Sequence, residues 1–299
     1  TVCALRITDK IARNPKNYFK KKYGLSIKPL FPLTEIHMIS QKKQAIIKGG
    51  VLGHVFKHGR CYHSLENQIA KVVTSPIYFN SDVDLNALRN KYDFVVCANG
   101  TGKYAKELNS WEIRLVAHSR IAKVVGNFKP GIIKMWVNAN YSKNCYCYLL
   151  PSSSKEADLV LSLNTATHNE LDFYWKEFLL DAEIEYVITE TWDVEFEIGH
   201  PTDVQIENIY FVGNAGGFID DFLGFGVIKS IESGLLAGRA IAKGLDYNEL
   251  VKPLQKNIQM LHAYRDAVNN LDNKGFDRLI SCLGLPVIKH LIYKNPFYL

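Results

Sequence analysis

A glycine-rich connection between a short apolar strand and a long helix is the feature that most constrains this fold. The strand is predicted at 209–212, small or amide residues occupy 213–217, and Gly224 and Gly226 precede the helix. Glycine lets the backbone approach a ligand closely, and the amides and dipole of a helix start favour an anion or a polar ring. Two glycine clusters disfavour the alternative, a turn that only serves the chain path. The segment therefore predicts a ligand site.

A second strand ends in the same way. Residues 92–97 are mostly apolar and run directly into Ala98, Asn99, Gly100, Thr101 and Gly102. A buried parallel strand that ends in small residues is typical of a strand that ends at a ligand crevice. Gly100 is therefore a candidate binding position.

The middle of the chain has a different pattern, which predicts antiparallel strands around one helix at 171–180. The strands are predicted at 112–117, 121–125, 132–138, 145–150, 158–163 and 184–197. Elsewhere we predict a helix at 9–24, strands at 35–40, 44–48 and 77–79, and helices at 64–73 and 84–89. Gly49, Gly50 and Gly53 are predicted to be turn or close-approach positions.

Composition and charge exclude several classes of protein. The 299 residues are 47% hydrophobic and 22% charged, which suits a chain with a sizeable core. No apolar run is long enough to span a bilayer, and the six cysteines match neither a disulfide framework nor a metal site. We therefore predict a cytoplasmic setting and no metal. The Lys20–Lys22 run is too short and too poor in interleaved aromatics for a nucleic-acid groove, so no nucleic-acid partner is expected.

The glycine-rich segment resembles a known motif. It reads Val-Gly-Asn-Ala-Gly-Gly-Phe from Val212, then Asp220-Asp221, then Gly-Phe-Gly-Val to Val227, and its helix contains Ser233-Gly234. This resembles the late flavin motif of the geranylgeranyl reductase family, a branch of the FAD-dependent oxidoreductases related to aromatic hydroxylases. The resemblance implies FAD as cofactor. It implies these flavin-binding residues: Gly100, Gly213, Asn214, Ala215, Gly216, Asp220, Gly224, Gly226 and Val227.

Two positions depart from the family motif. The family aspartate that binds the ribityl chain is Asn214 here, which keeps an acceptor but loses a charge-assisted hydrogen bond. The family proline is Asp221, which adds a carboxylate close to where the flavin ring is expected. These departures bear on the tuning of the flavin more than on its binding.

A second resemblance concerns the substrate. The segment from Lys143 to Pro151 resembles the aromatic strand that lines the isoprenoid tunnel of these reductases, although Tyr148 and Leu150 replace a tryptophan and a phenylalanine. On a strand, Tyr146, Tyr148 and Leu150 share one face. The resemblance implies that these residues and Pro151 contact an isoprenoid or lipid-like substrate; the alternative is an ordinary half-buried strand. Cys145 and Cys147 point to the other face and are expected in the core.

The resemblance implies a mixed α/β fold. We expect an incomplete Rossmann-like FAD-binding domain in two parts, 1–103 and 204–250, with an inserted antiparallel-sheet substrate domain at 104–203 and a helical segment at 251–299. The family's Gly-x-Gly-x-x-Gly unit, which binds the pyrophosphate, is not in this sequence. Because the sequence starts at Thr1 instead of Met, we expect a fragment that lacks this unit; the alternative is a complete chain that has lost it.

The implied activity is reduction of isoprenoid double bonds by hydride transfer from reduced flavin, with ferredoxin or a nicotinamide as electron donor. A flavin-dependent monooxygenase and a non-catalytic remnant of the fold are the alternatives, and no catalytic residue is assigned. The C-terminal segment is rich in apolar residues with Lys and Arg beside them, and Pro286 is expected to separate two helices. It suggests peripheral membrane contact, and the alternative is that these helices pack on the sheet.

Overall fold

A computed structural model describes residues 2–5, 15–143, 145–164 and 167–289. By internal contacts the chain divides into two compact units. The first comprises Thr1–Val73, Ala117–Glu195 and Val268–Leu299, and the second comprises Thr74–Val116 and Phe196–Ala267. The predicted boundaries at 103, 203 and 250 divide the chain differently.

The strands are β1 (Val2–Leu5), β2 (Phe31–Ile39), β3 (Gln44–Lys57), β4 (Val95–Cys97), β5 (Glu112–Val125), β6 (Ile132–Trp136), β7 (Cys147–Pro151), β8 (Glu156–Asn164), β9 (Val187–His200), β10 (Gln205–Ile206) and β11 (Ile209–Phe211). The helices are α1 (Pro15–Tyr23), α2 (Leu65–Ala70), α3 (Leu85–Lys91), α4 (Lys103–Glu107), α5 (Leu171–Asp181), α6 (Val227–Lys243), α7 (Tyr247–Asn269), α8 (Asn273–Leu283) and α9 (Pro286–Lys289).

The larger sheet has the order β1-β3-β2-β6-β7-β8-β5-β9 within the described residues. It is mixed, because β2 and β6 run parallel while β1–β3, β2–β3, β6–β7, β7–β8 and β5–β8 are antiparallel pairs. Leu159, Leu161 and Leu163 of β8 alternate onto one face and are fully buried with Phe178 of α5. This face forms the largest apolar core of the first unit. The mixed α/β class is confirmed. The strands β1, β2 and β3 also belong to this sheet, whose strands were expected only from residue 104 onward.

Several local predictions are confirmed, and others are wrong. Ser64 caps α2 by accepting a hydrogen bond from the Asn67 amide at 3.2 Å. Residues 77–79 form no strand, and 112–125 is one strand instead of two. Gly49, Gly50 and Gly53 lie inside β3, because the flanking residues pair with β2 on both sides of a register shift near Leu33. The predicted helix at 9–24 begins at Pro15 in the described residues; 9–14 lie outside them.

The smaller sheet belongs to the second unit. Its order is β10-β11-β4, and β11 runs parallel to β4 with Phe211 opposite Cys97. Helix α6 ends at Gly244, which has a left-handed φ of +61°. The Tyr247 hydroxyl, at the start of α7, donates to the Phe211 carbonyl at 2.9 Å in the core. Both helices are thereby fixed near the end of β11. In the part of the chain that the structure describes, every helix is too short or too polar to cross a membrane.

An ion-pair cluster joins three elements of the first unit, and it yields a stability prediction. Arg120 of β5 donates two hydrogen bonds of 2.7 Å to Asp193 of β9 and a third to Asp172 of α5. These bonds raise the pKa of the Arg120 guanidinium above its usual value, led by the Asp193 contact. Because hydrogen bonds to charged groups are strong, we expect Arg120→Met to lower the free energy of unfolding by about 2 kcal/mol.

The control for this variant lies on the same strand. Lys123 pairs with Glu190 at 2.9 Å, but both side chains are exposed to solvent, so Lys123→Met should cost less than about 1 kcal/mol. Urea denaturation of the two variants measures both losses. Equal losses would show that the Arg120 cluster is no stronger than a surface pair.

Candidate functional site

The turn after β11 contains four of the nine predicted flavin-binding residues: Gly213, Asn214, Ala215 and Gly216. The segment Gly213–Gly216 forms a 3-10 turn, and Gly213 and Gly217 have positive φ values of +58° and +74°. A Cβ on Gly217 would stand 2.6 Å from the Cβ of His200, and one on Gly216 would stand 2.4 Å from the Phe211 carbonyl oxygen. Glycine is therefore required at these two positions by the tight path of the chain itself.

Helix α6 holds this turn from behind. The hydroxyl of Ser233 is buried, accepts the Gly213 amide at 2.9 Å and donates to the Ser230 carbonyl at 3.1 Å. This hydroxyl fixes the first residue of the turn to the second turn of the helix. Ser233, the serine of the motif's Ser-Gly pair, therefore holds the glycine turn against α6.

The start of α6 meets the side chain of Asn214. Gly226 is the N-cap residue, and no side chain caps the helix there. A Cβ on Gly226 would stand 3.0 Å from the Asn214 side-chain oxygen and 3.1 Å from the Ile219 Cβ. The φ of Gly226 is −128°, so crowding and not a left-handed backbone demands glycine here. Asn214, Gly226 and Val227 therefore meet at one helix N-terminus.

A carboxylate lies in the loop between the two glycine clusters. Asp220 is buried and accepts the Leu223 amide at 2.7 Å, and its nearest cation is Lys229 at 3.7 Å. Burial raises the pKa of Asp220 and lowers the pKa of Lys229. The Asp220 carbonyl also accepts the Gly224 amide at 3.1 Å. Asp220 thus holds the loop in shape, and its contact with the flavin stays a prediction.

Gly100 lies at the end of the neighbouring strand. It has a φ of +78°, and a Cβ built on it would meet no packed neighbour within 4 Å. The Val212 amide donates to the Cys97 carbonyl at 3.0 Å. Because β4 and β11 are parallel, the turns that follow them emerge at the same edge of the small sheet. The structure therefore brings the Gly100 turn and the Gly213 turn to one edge.

The predicted substrate residues lie in the first unit. Tyr146 and Tyr148 are half-buried with ring centroids 6.0 Å apart, and Tyr148 packs with Leu150, Val55 and Ile133. Leu150 and Pro151 are buried, so the two tyrosines are the accessible part of this face. The cysteines at 145 and 147 are buried as expected, and burial raises the pKa of the Cys147 thiol.

Three contributors to the site were not predicted as such from the sequence. Lys229 and Tyr247 contact the turn region through helices, and His262 reaches Asp221 across 41 residues. Only a helical spacing of small residues in α6 signals that this helix packs closely. No local pattern marks His262.

Comparison with known proteins tests the resemblance. No protein-family model matches the chain. A digeranylgeranylglycerophospholipid reductase from Methanosphaera stadtmanae is 30% identical over 101 residues, which is 30% of this chain and 25% of that protein. Another from Methanocella arvoryzae is 28% identical over 120 residues, 39% of this chain and 30% of its own length. The matched segments thus span under a third of these relatives.

The structural comparison covers far more of the chain. A geranylgeranyl bacteriochlorophyll reductase-like protein from Thermoplasma acidophilum has a TM-score of 0.64 at 13% identity, over 89% of this chain and 78% of that one. The resemblance to the geranylgeranyl reductases is confirmed. The flavin-dependent brominase Bmp2 also shares the fold, with a TM-score of 0.58 at 12% identity over 98% of this chain and 87% of that one. At such identities the structures show the fold alone.

Asn214 stands where the family motif has an aspartate, and its position leads to a prediction. Asn214→Asp places a negative charge beside the N-terminus of α6, where the helix dipole stabilises it by about 0.3–1 kcal/mol. We expect this variant to be at least as stable as wild type and to retain FAD at least as tightly, because a charged acceptor makes stronger hydrogen bonds. Thermal unfolding and flavin occupancy measure the two effects. A lower occupancy would show that Asn214 faces a phosphate instead.

Proposed function

We propose that this chain is the flavin-ring and substrate-sheet part of an FAD-dependent oxidoreductase of the geranylgeranyl reductase type. The observation that supports it best is the glycine turn after β11, which meets the uncapped N-terminus of α6 at Asn214 and Gly226. These residues fit a flavin, because the helix start offers amides and a positive dipole to a polar ring. When bound, the flavin would supply the hydride.

The roles of the residues follow from their placement. The amides at the start of α6 would orient the ring, and the Asn214 side chain would accept a hydrogen bond from the ribityl chain. Ser233 and Asp220 keep the two glycine segments in place. The pyrophosphate-binding glycine unit is not in this sequence, so these residues account for the flavin end of the cofactor alone.

The substrate class in this proposal is an isoprenoid lipid. Two reductases with names of this class match parts of the sequence, and the Tyr146–Tyr148 face joins aromatic rings with apolar Ile133 and Val55. Such a surface suits a prenyl chain, since it buries apolar area. Ferredoxin or a nicotinamide remains the proposed electron donor.

The test uses anaerobic protein with its flavin reduced chemically. Adding a geranylgeranyl lipid should reoxidise the flavin and yield a saturated product, detected by mass spectrometry. Tyr148→Ala should slow this reoxidation, while Phe173→Ala, an exposed aromatic of the same unit, should not. Reoxidation only by oxygen, with a hydroxylated product, would instead support a monooxygenase. A folded protein without flavin would support the non-catalytic alternative.

A peripheral membrane contact is part of this proposal, but fewer residues of the C-terminal segment support it than the sequence suggested. Phe276 and Ile280 of α8 are buried, and Ile280 packs with Met38 and Ile47, so this face of α8 covers the sheet and is not available to lipid. Leu285 and Val287 are exposed, and Lys289 follows them. The proposed contact therefore begins after α8, and the predicted apolar residues at 291–293 lie outside the described residues.

A further inference from the structure

In the second unit, an aspartate–histidine pair connects the loop between the two glycine clusters to helix α7. Asp221 is 3% exposed, and its Oδ2 atom is hydrogen-bonded to Nδ1 of His262. Beside this bond, the rings of Phe222 and Tyr264 meet with centroids 6.0 Å apart. Two consecutive loop residues thus contact two residues of α7.

The carboxylate has little other compensation. Its second oxygen, Oδ1, is buried without a hydrogen-bond partner. A buried carboxylate that lacks hydrogen bonds or a counter-charge is costly. Among the contacts that the structure describes for Asp221, the His262 imidazole is therefore the group that compensates its charge.

Other charged groups surround the pair from each packed element. On α7, Asp266 is 3.7 Å from Nε2 of His262. On the loop and α6, Asp220 and Lys229 stand 3.7 Å apart. On β9, burial and then the charge of Arg114 lower the pKa of His200, and His262 adds a smaller effect of the same sign. The charge of Glu112 acts in the opposite direction and raises the pKa of His200.

The hydrogen bond also fixes the orientation of the imidazole ring. A carboxylate that accepts a hydrogen bond from Nδ1 keeps the proton on that nitrogen and holds the ring in place. The His262 side chain is 37% exposed, so solvent reaches part of the ring. A positively charged imidazole beside the Asp221 carboxylate makes the pair neutral, whereas the carboxylate alone carries one negative charge.

We propose that His262 compensates the charge of Asp221, so that this buried carboxylate does not disfavour the reduced flavin at this site. The inference rests on the proposed function, since it concerns the flavin bound at the adjoining loop. A reduced flavin can carry negative charge on its ring, which an uncompensated carboxylate in the adjoining loop would repel. His262 therefore acts through Asp221 and is a positioning residue.

The experiment compares the dissociation constants of oxidised and reduced flavin, obtained from the bound and free midpoint potentials. His262→Gln leaves Asp221 uncompensated, so we expect the preference for reduced flavin to fall about tenfold, the order expected for one partly screened unit charge. The double variant D221N/H262Q removes both charges and should return to within about twofold of wild type. Lys252→Gln removes an exposed positive charge from the same helix and should change nothing, because solvent screens it.

The outcomes separate this inference from the proposed function. Wild-type protein that binds flavin, with an unchanged preference in His262→Gln, overturns the role of the pair and leaves the proposed function intact. Wild-type protein without flavin overturns both. Imidazole nitrogen NMR on flavin-free protein adds an independent readout. A proton held at Nδ1 of His262 in wild type and lost in Asp221→Asn supports the Asp221–His262 pair, and no difference between the two proteins contradicts it.

Discussion

Gly226→Val is expected to abolish flavin retention. The substituted Cβ would meet the Asn214 side-chain oxygen at 3.0 Å and the Ile219 Cβ at 3.1 Å, and the valine methyl groups extend further into the same space. Asn214 and the helix start would have to separate, which disrupts the surface where the flavin ring is proposed to bind. The measurement is the ratio of flavin to protein after gel filtration.

A second glycine of α6 provides the matched control. A Cβ on Gly234, in the same helix, would meet no packed neighbour within 4 Å, so Gly234→Ala should retain flavin and raise helix stability by up to about 1 kcal/mol. Circular dichroism must show that Gly226→Val is still folded. Wild-type flavin occupancy in a folded Gly226→Val protein would contradict the placement of this loop.

Phe276→Ala is expected to be the most destabilising substitution in the C-terminal segment. Phe276 is fully buried in α8, whose Ile280 belongs to the core with Ala45 and Ile47. Truncating a buried phenylalanine costs about 3–5 kcal/mol. Deleting 275–299 would remove both side chains, so we expect that truncation to unfold the first unit instead of merely weakening membrane association.

The comparison that isolates membrane contact is a shorter truncation. Deleting 290–299 leaves α8 complete, and we expect it to lower association with vesicles that contain anionic lipid. Val287→Ala, at an exposed position, should cost less than about 0.5 kcal/mol. If Phe276→Ala and Val287→Ala cost the same, the packing of α8 on the sheet is wrong.

Local chemistry explains which parts of the fold could be predicted from the sequence. The strand and helix of the 209–244 segment were predicted correctly because strand, glycines and helix follow one another in sequence. The cap at Ser64 was predicted correctly because a helix cap depends on neighbouring residues. The strand predicted at 77–79 was wrong because Tyr78 and Phe79 have high strand propensity but lie exposed outside both sheets. Propensity alone does not supply a pairing partner.

Long-range contacts could not be predicted in this way. The parallel pairing of β2 with β6 joins residues about a hundred positions apart, and the Asp221–His262 pair spans 41 residues. The sequence showed that Asp221 replaces a proline, but nothing near it pointed to a histidine on α7. A single sequence contains no signal for such pairs, because each partner alone has an ordinary pattern around it.

The central claim is that the glycine turn and the start of α6 bind a flavin. Its most direct test is the visible absorption spectrum of the protein, expressed from its whole reading frame and purified without added cofactor. We predict the spectrum of an oxidised flavin in wild type and in Gly234→Ala, and its loss in Gly226→Val. A folded, colourless wild-type protein that also fails to bind added FAD would contradict the account.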